Sequence, residues 1–215
     1  MLRLRPAVLA AFAAALAGPA TISCNRNEQP IAPPATTESP SPGSPTERVV
    51  GPLSPADAQA LSTMNDGLKA YLELRRKVEG TLPRLPDTAT AEQIATNQRL
   101  FEAGIREARA GAGPGDIFTP HASPVIIRLL GVVFAGEAGR QLKESIMDEN
   151  PVGVKVTVNG RYPDTAPIST VPPQVLQTLP KLTAGMEYRF VGTTLILLDA
   201  PAQVIADYIE NALPR

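Results

Sequence analysis

The chain has 215 residues with 23 Pro, one Cys, one His and no Trp, a proline share about twice the ordinary one. A disulfide framework needs at least two cysteines, and a Cys/His zinc site needs more ligands than one of each, so both are excluded. With 20 basic and 21 acidic side chains there is no electrostatic case for nucleic acid, and five Phe and four Tyr are few rings for base stacking.

Residues 1–23 read as an export signal. Arg3 and Arg5 form a basic start, residues 7–17 (AVLAAFAAALA) an apolar run, and Gly18, Ala20 and Ser23 supply small residues after it. The run is shorter than the roughly 20 residues of a spanning helix. Cys24 comes directly after the segment, and two outcomes are open. Either the signal is removed in front of Cys24 and the thiol carries lipid, or an A-x-A-like site such as Ala15-Leu16-Ala17 is cleaved and frees a soluble protein. Lipidation at Cys24 is the expectation adopted, because an unpaired thiol in an oxidising compartment is open to oxidation and mispairing, and acylation removes it. Thr21-Ile22-Ser23-Cys24 resembles the lipobox of bacterial lipoproteins, with small Ser23 before the Cys and Thr21 where the family carries Leu or another aliphatic residue. The resemblance implies diacylglycerol on Cys24. Asn25 is not the Asp that marks inner-membrane retention in enteric bacteria, which implies an outer-membrane destination, the alternative being a periplasmic protein.

Residues 24–53 form a Pro/Ser/Thr-rich linker with almost nothing apolar to bury, so the segment cannot offset its ordering entropy and is expected to be disordered. Its prolines favour extended polyproline-like conformers, as in a semi-rigid spacer that holds the C-terminal part of the chain away from an envelope surface.

Residues 54–215 are expected to form one α+β domain, helical over 54–150 and β-rich over 151–215. Ser54 before Pro55, with Asp57 in the first turn, starts a helix whose apolar residues Leu61, Met64, Leu68, Tyr71, Leu72 and Val78 recur at helical spacing up to Gly80. Thr90-Ala91-Glu92-Gln93 is a capping box that opens a second helix, with Ile94, Phe101, Ile105 and Ala108 on one side and Gly111 as its stop. Ser123-Pro124 repeats the cap-then-proline signal before residues 125–134, apolar almost all round, which read as the buried helix of the domain. Gly136 and Gly139 interrupt it, and a further helix over 137–147 turns Leu142 and Ile146 inward.

Beyond Pro151 the period shifts to two. Val152, Val154, Val156 and Val158 alternate with polar residues or Gly up to Asn159-Gly160, the clearest strand pattern in the chain. Next come a proline-punctuated connection with a short helix at 173–179 and two β-prone runs, 188–191 and 195–198, around Gly192-Thr193-Thr194, which predict a hairpin. Residues 204–213 fit a helical stripe and a strand equally well. Helices first and strands afterwards give N-terminal helices packed on a small antiparallel sheet.

Chemistry-bearing residues are few. His121 and Asp116, in Gly-Pro-Gly-Asp-Ile-Phe-Thr-Pro-His, are the minimum for general-base work, but no nucleophile motif accompanies them, so Asp116 reads as a turn organiser and His121 as the residue before a helix. Asp148, Glu149, Asp164, Asp199, Asp207 and Glu210 match no metal loop or paired-acid spacing and read as solvent-facing or turn-capping acids, with Asp164 and Asp199 in turns. Arg75-Arg76-Lys77, with Arg84 beyond, reads as the solvated end of the first helix, where positive charge complements the dipole. No Gly-rich phosphate loop follows a strand, so neither nucleotide nor other cofactor is implied.

Gly115-Asp116-Ile117-Phe118-Thr119-Pro120, Tyr162-Pro163-Asp164, Tyr188-Arg189-Phe190-Val191-Gly192 and Leu195-Ile196-Leu197-Leu198-Asp199 together resemble an uncharacterised family of exported bacterial proteins. That resemblance spans most of residues 60–214 and carries no activity with it. The last 35 residues are loosely similar to the small periplasmic module of the nickel/cobalt-homeostasis family, which implies a compact antiparallel β-meander and favours a strand over 204–209. Trp and a His cluster are missing here, so the similarity implies the shape without the metal. The expected function is therefore an exported envelope protein, lipid-anchored through Cys24, acting as a non-enzymatic binding or structural module with the membrane and an envelope protein as partners. The alternative is a periplasmic hydrolase-type enzyme using Asp116 and His121.

Overall fold

A computed structural model describes residues 52–150, 153–163, 166, 171–183 and 185–214. The expected signal segment, Cys24, nearly all of the linker, Val152 and Asp164 lie outside the described residues. Four helices come first: α1 (Pro55–Glu79), α2 (Ala91–Ala108), α3 (Ala122–Val133) and α4 (Gly136–Asp148). A short α5 (Pro173–Thr178) then precedes β1 (Met186–Val191), β2 (Thr194–Asp199) and β3 (Val204–Ile209). The strands form one antiparallel meander in the order β1-β2-β3. The fold is α+β, helices on a small sheet, and residues 204–209 are a strand.

Helix starts are set by local chemistry. The Ser54 hydroxyl accepts the Asp57 N–H at the head of α1, and Thr90 and Gln93 cap α2 reciprocally. Only Phe101 and Ile105 of the predicted apolar side of α2 are buried; Ile94 is 52% exposed. At α3 the cap-then-proline signal belongs to Thr119-Pro120 and not to Ser123-Pro124. The Ser123 N–H already donates to the Thr119 carbonyl and the Ala122 N–H to the Thr119 hydroxyl, so Pro124 lies within the first turn, where a missing N–H costs nothing.

The sheet is apolar on both faces. Met186, Tyr188 and Phe190 of β1, Leu195 and Leu197 of β2, and Val204, Ala206 and Ile209 of β3 face the helices. There they meet Met64, Leu68, Phe101, Ile105, Ile126 and Leu130. Phe118 stacks on Tyr188 and Phe134 meets Phe190 edge-on, both at 6.3 Å between ring centres. Ile196, Leu198 and Ile205 point the other way, into a second cluster with Tyr162, Val154, Val156 and Tyr208. The pairing of β3 slips between Leu197 and Leu198, whose partners are Asp207 and Ile205. Ala206 is therefore the extra residue of a bulge, and the bulge re-aims Asp207.

Over its described residues, 153–158, the clearest predicted strand is not one. Its described residues alternate as the pattern requires, Val154 and Val156 half-buried and Lys155 and Thr157 exposed, but they carry no ladder. These valines cover the outer face of the sheet as side chains alone, while residues 159–162 take the β3 edge. The Asn159 N–H donates to the Ile205 carbonyl, the Ile205 N–H to the Gly160 carbonyl, and Arg161 bridges to Val204. Asn159 at φ 61° turns the chain into that contact. Asn150 reaches the β1-β2 turn, where its side-chain amide donates to the Gly192 carbonyl and accepts the Gly192 N–H. Gly192 has φ 58° and opens the two-residue turn, the place where such hairpins want glycine.

Candidate functional site

The polar side chains with the greatest chemical potential are gathered between the helices and the sheet. Position 71 falls on the core face of α1 and position 75 one turn later, so Tyr71 and Arg75 both reach the end of β2. The Tyr71 hydroxyl donates to Asp199 Oδ2 at 2.7 Å, and Arg75 Nε lies 3.0 Å from the same oxygen as an ion pair. The Ala202 N–H donates to Oδ1 and closes the turn after β2. Asp199 has no exposed surface. Burial pushes its carboxyl above the ordinary carboxylate range against the pull of Tyr71 and Arg75. Burial, reinforced by the Asp199 charge, pushes the Tyr71 phenol far up.

A second carboxylate fills the loop before α3. Asp207 Oδ2 accepts the N–H groups of Ile117 and Phe118, both at 2.8 Å, and Oδ1 accepts those of Gly115 and Tyr208. Loops that turn several N–H groups inward are anion sites, and here the anion is the protein's own side chain. Gly67 admits this loop against α1, since a Cβ there would sit 2.9 Å from the Asp116 carbonyl oxygen.

Glu102 and Arg106, one turn apart on α2, and Arg109 just past its end join the two halves. Glu102 pairs with Arg106 and with Arg161, and Arg106 donates to the Asn159 carbonyl. Arg109, 8% exposed, donates to Asn159 Oδ1 and to the Ala206 carbonyl, and receives the Asn159 amide on its own carbonyl. Its guanidinium lies 5.0 Å from the centre of the Tyr71 ring, within cation–π range.

Asp199 and Asp207, read from the sequence as solvent-facing or turn-capping, both cap turns or loops but are wholly enclosed. Arg75 departs from its neighbours Arg76 and Lys77: they are exposed, whereas its side chain is 14% exposed. The signal for the acids was available. Asp199 and Asp207 sit in strand runs otherwise almost wholly apolar, where an acid without an interior partner would be costly. Asp116 organises its turn by accepting the Gly113 N–H and lies 3.9 Å from Arg109. His121 is exposed at the start of α3, and among the described residues its side chain makes no hydrogen bond or ion pair, with Asp116 or any other group.

A shallow groove of about 360 Å³ lies apart from this network, between residues 83–86 and one side of α2, with Leu85, Thr96, Asn97 and Leu100 in its walls. Among the described residues no group of three or more His, Cys, Asp or Glu is arranged to hold a metal ion. The enclosed carboxylates can orient and lock the helices on the sheet but cannot touch a substrate in this arrangement. Comparison of the chain with protein-family models, curated proteins and solved structures finds no match.

Proposed function

We propose that this is an exported envelope protein, lipid-anchored through Cys24, whose α+β domain is a non-enzymatic binding or structural module. The observation that carries the module reading is the inward commitment of Asp199, Asp207, Arg75 and Arg109, each consumed by contacts that tie the sheet to the helical half or to the loop before α3. The address rests on the apolar 7–17 run, small Ser23 and Cys24 directly behind it, with the Pro-rich spacer as tether. Asn25 in the place of a retention Asp supports an outer-membrane position.

Metabolic palmitate labelling with membrane fractionation tests the address. Label should appear in the wild type and vanish in Cys24→Ala, which should leave the membrane fraction. A Cys24→Ala protein that stays membrane-bound and is processed at the same bond would overturn the anchor. Crosslinking in the native envelope should capture an envelope partner through the folded domain. A hydrolytic activity abolished by His121→Ala in a folded protein would replace the module reading with the enzymatic one.

A further inference from the structure

α3 is buried on one side and bare on the other. Ala122, Val125, Ile126, Leu129 and Leu130 face inward, whereas Pro124, Ile127 and Val132 are exposed, with half-buried Gly131 among them, and exposed Ala135 follows the end of the helix. Ile127 is 37% and Val132 44% exposed. The only charge on this outer stripe is Arg128, neutralised at 2.6 Å by Asp57 in the first turn of α1. The same ion pair fixes where the face lies. It ties the stripe to the residues at which the N-terminal segment joins the domain, and Ala60 and Leu61 pack on Val125 and Leu129 just behind it.

We infer that the outer face of α3 lies against the bilayer that carries the anchor, an inference that rests on lipidation at Cys24. The observation that selects a lipid surface is the position of the tether. The N-terminal chain joins the described residues at Pro52, five residues before Asp57, whose carboxylate meets the stripe at Arg128. Residues 25–52 could extend to roughly 90 Å at about 3.1 Å per residue, so the spacer sets the largest standoff and allows any smaller one. A face too small to hold a bilayer by itself suffices once an anchor raises its local concentration to the order of millimolar. Twelve residues cannot span the hydrocarbon core, and α4 leaves α3 at 111°. The contact is therefore an apolar helix face laid in the headgroup boundary.

The test uses the full, mature acylated chain, in which Cys24 carries lipid and an added cysteine is the one free thiol. Val132→Cys, and Arg99→Cys on the exposed side of α2 as control, are labelled with a polarity-sensitive fluorophore. Each is reconstituted in vesicles of phosphatidylethanolamine and phosphatidylglycerol containing brominated lipid. The position 132 probe should shift to the blue and be quenched by the brominated lipid, the position 99 probe should do neither, and Ile127→Glu in the Val132→Cys background should abolish both effects with the circular dichroism unchanged. Palmitate-labelled protein that floats with the vesicles while its position 132 probe stays in water overturns the docking and leaves the anchor standing. Protein without palmitate that fails to float overturns the anchor and the docking with it. A probe shielded in native envelopes but unquenched in vesicles assigns the face to a protein partner and overturns the lipid contact.

Discussion

Tyr71 on α1 and Asp199 at the end of β2 are 128 residues apart in sequence and 2.7 Å apart in the fold, joined by one hydrogen bond with no access to water. Arg75 on the next turn supplies the charge that keeps the carboxylate tolerable. Asp199→Ala leaves Arg75 buried without its acid and should lower unfolding stability by about 3–5 kcal/mol. Tyr71→Phe should cost about 1–3 kcal/mol, and a double-mutant cycle in urea should return a coupling of about 0.5–3 kcal/mol.

The same aspartate sets a pH dependence. Its folded pKa is raised, chiefly by burial, so the folded state holds the proton more tightly than the unfolded chain. Its contribution should therefore become more favourable as pH falls through the raised folded value, and level off below the unfolded value near 3.9. Stability measured against pH for the wild type minus Asp199→Asn isolates this contribution, and a difference that grows with rising pH would contradict it.

Asp207 holds the loop before α3 by accepting four backbone N–H groups. Asp207→Ala strands these donors and should destabilise by upwards of about 3 kcal/mol, each buried donor left unpaired costing about 1–3 kcal/mol. Should that variant not fold, Asp207→Asn serves. Amide exchange at Ile117 and Phe118 should accelerate more than exchange in β1.

Gly67→Ala places a methyl group 2.9 Å from the Asp116 carbonyl oxygen. The favourable helix propensity of Ala should be outweighed, with a net loss of about 1–3 kcal/mol from overpacking against backbone. Chemical shifts should move most across residues 113–118.

Asn150→Ala removes both amide contacts to Gly192. A loss of about 1–2 kcal/mol is expected, together with faster exchange at the hairpin end of β1 and β2 and an unchanged strand register.

Much of the helical half could be read before folding, because its signals are local. Ser54-Pro55 and the Thr90–Gln93 box act within four residues, and the caps form where the spacing places them. Ser123-Pro124 misled because Thr119-Pro120 carries the same signal a turn earlier, and only the accepted N–H groups distinguish them. The valines at 154 and 156 show the opposite limit. Period two correctly marks which side chains are covered, but alternation records burial and not pairing. The β3 edge had gone to residues 159–162.

By itself, then, the sequence determined the α+β class, the helices of the N-terminal half and the hairpin at Gly192, all of which depend on neighbours within a turn or a strand. The tertiary structure alone decided what the charged residues do. The apolar runs around Asp199 and Asp207 hint at interior acids but name no partner for them, and nothing local separates Arg75 or Arg109 from surface charge. All four become internal only because α1, α2, the 113–118 loop and the β3 bulge converge from far apart in sequence, and a buried charge is tolerated only where such convergence supplies its partners.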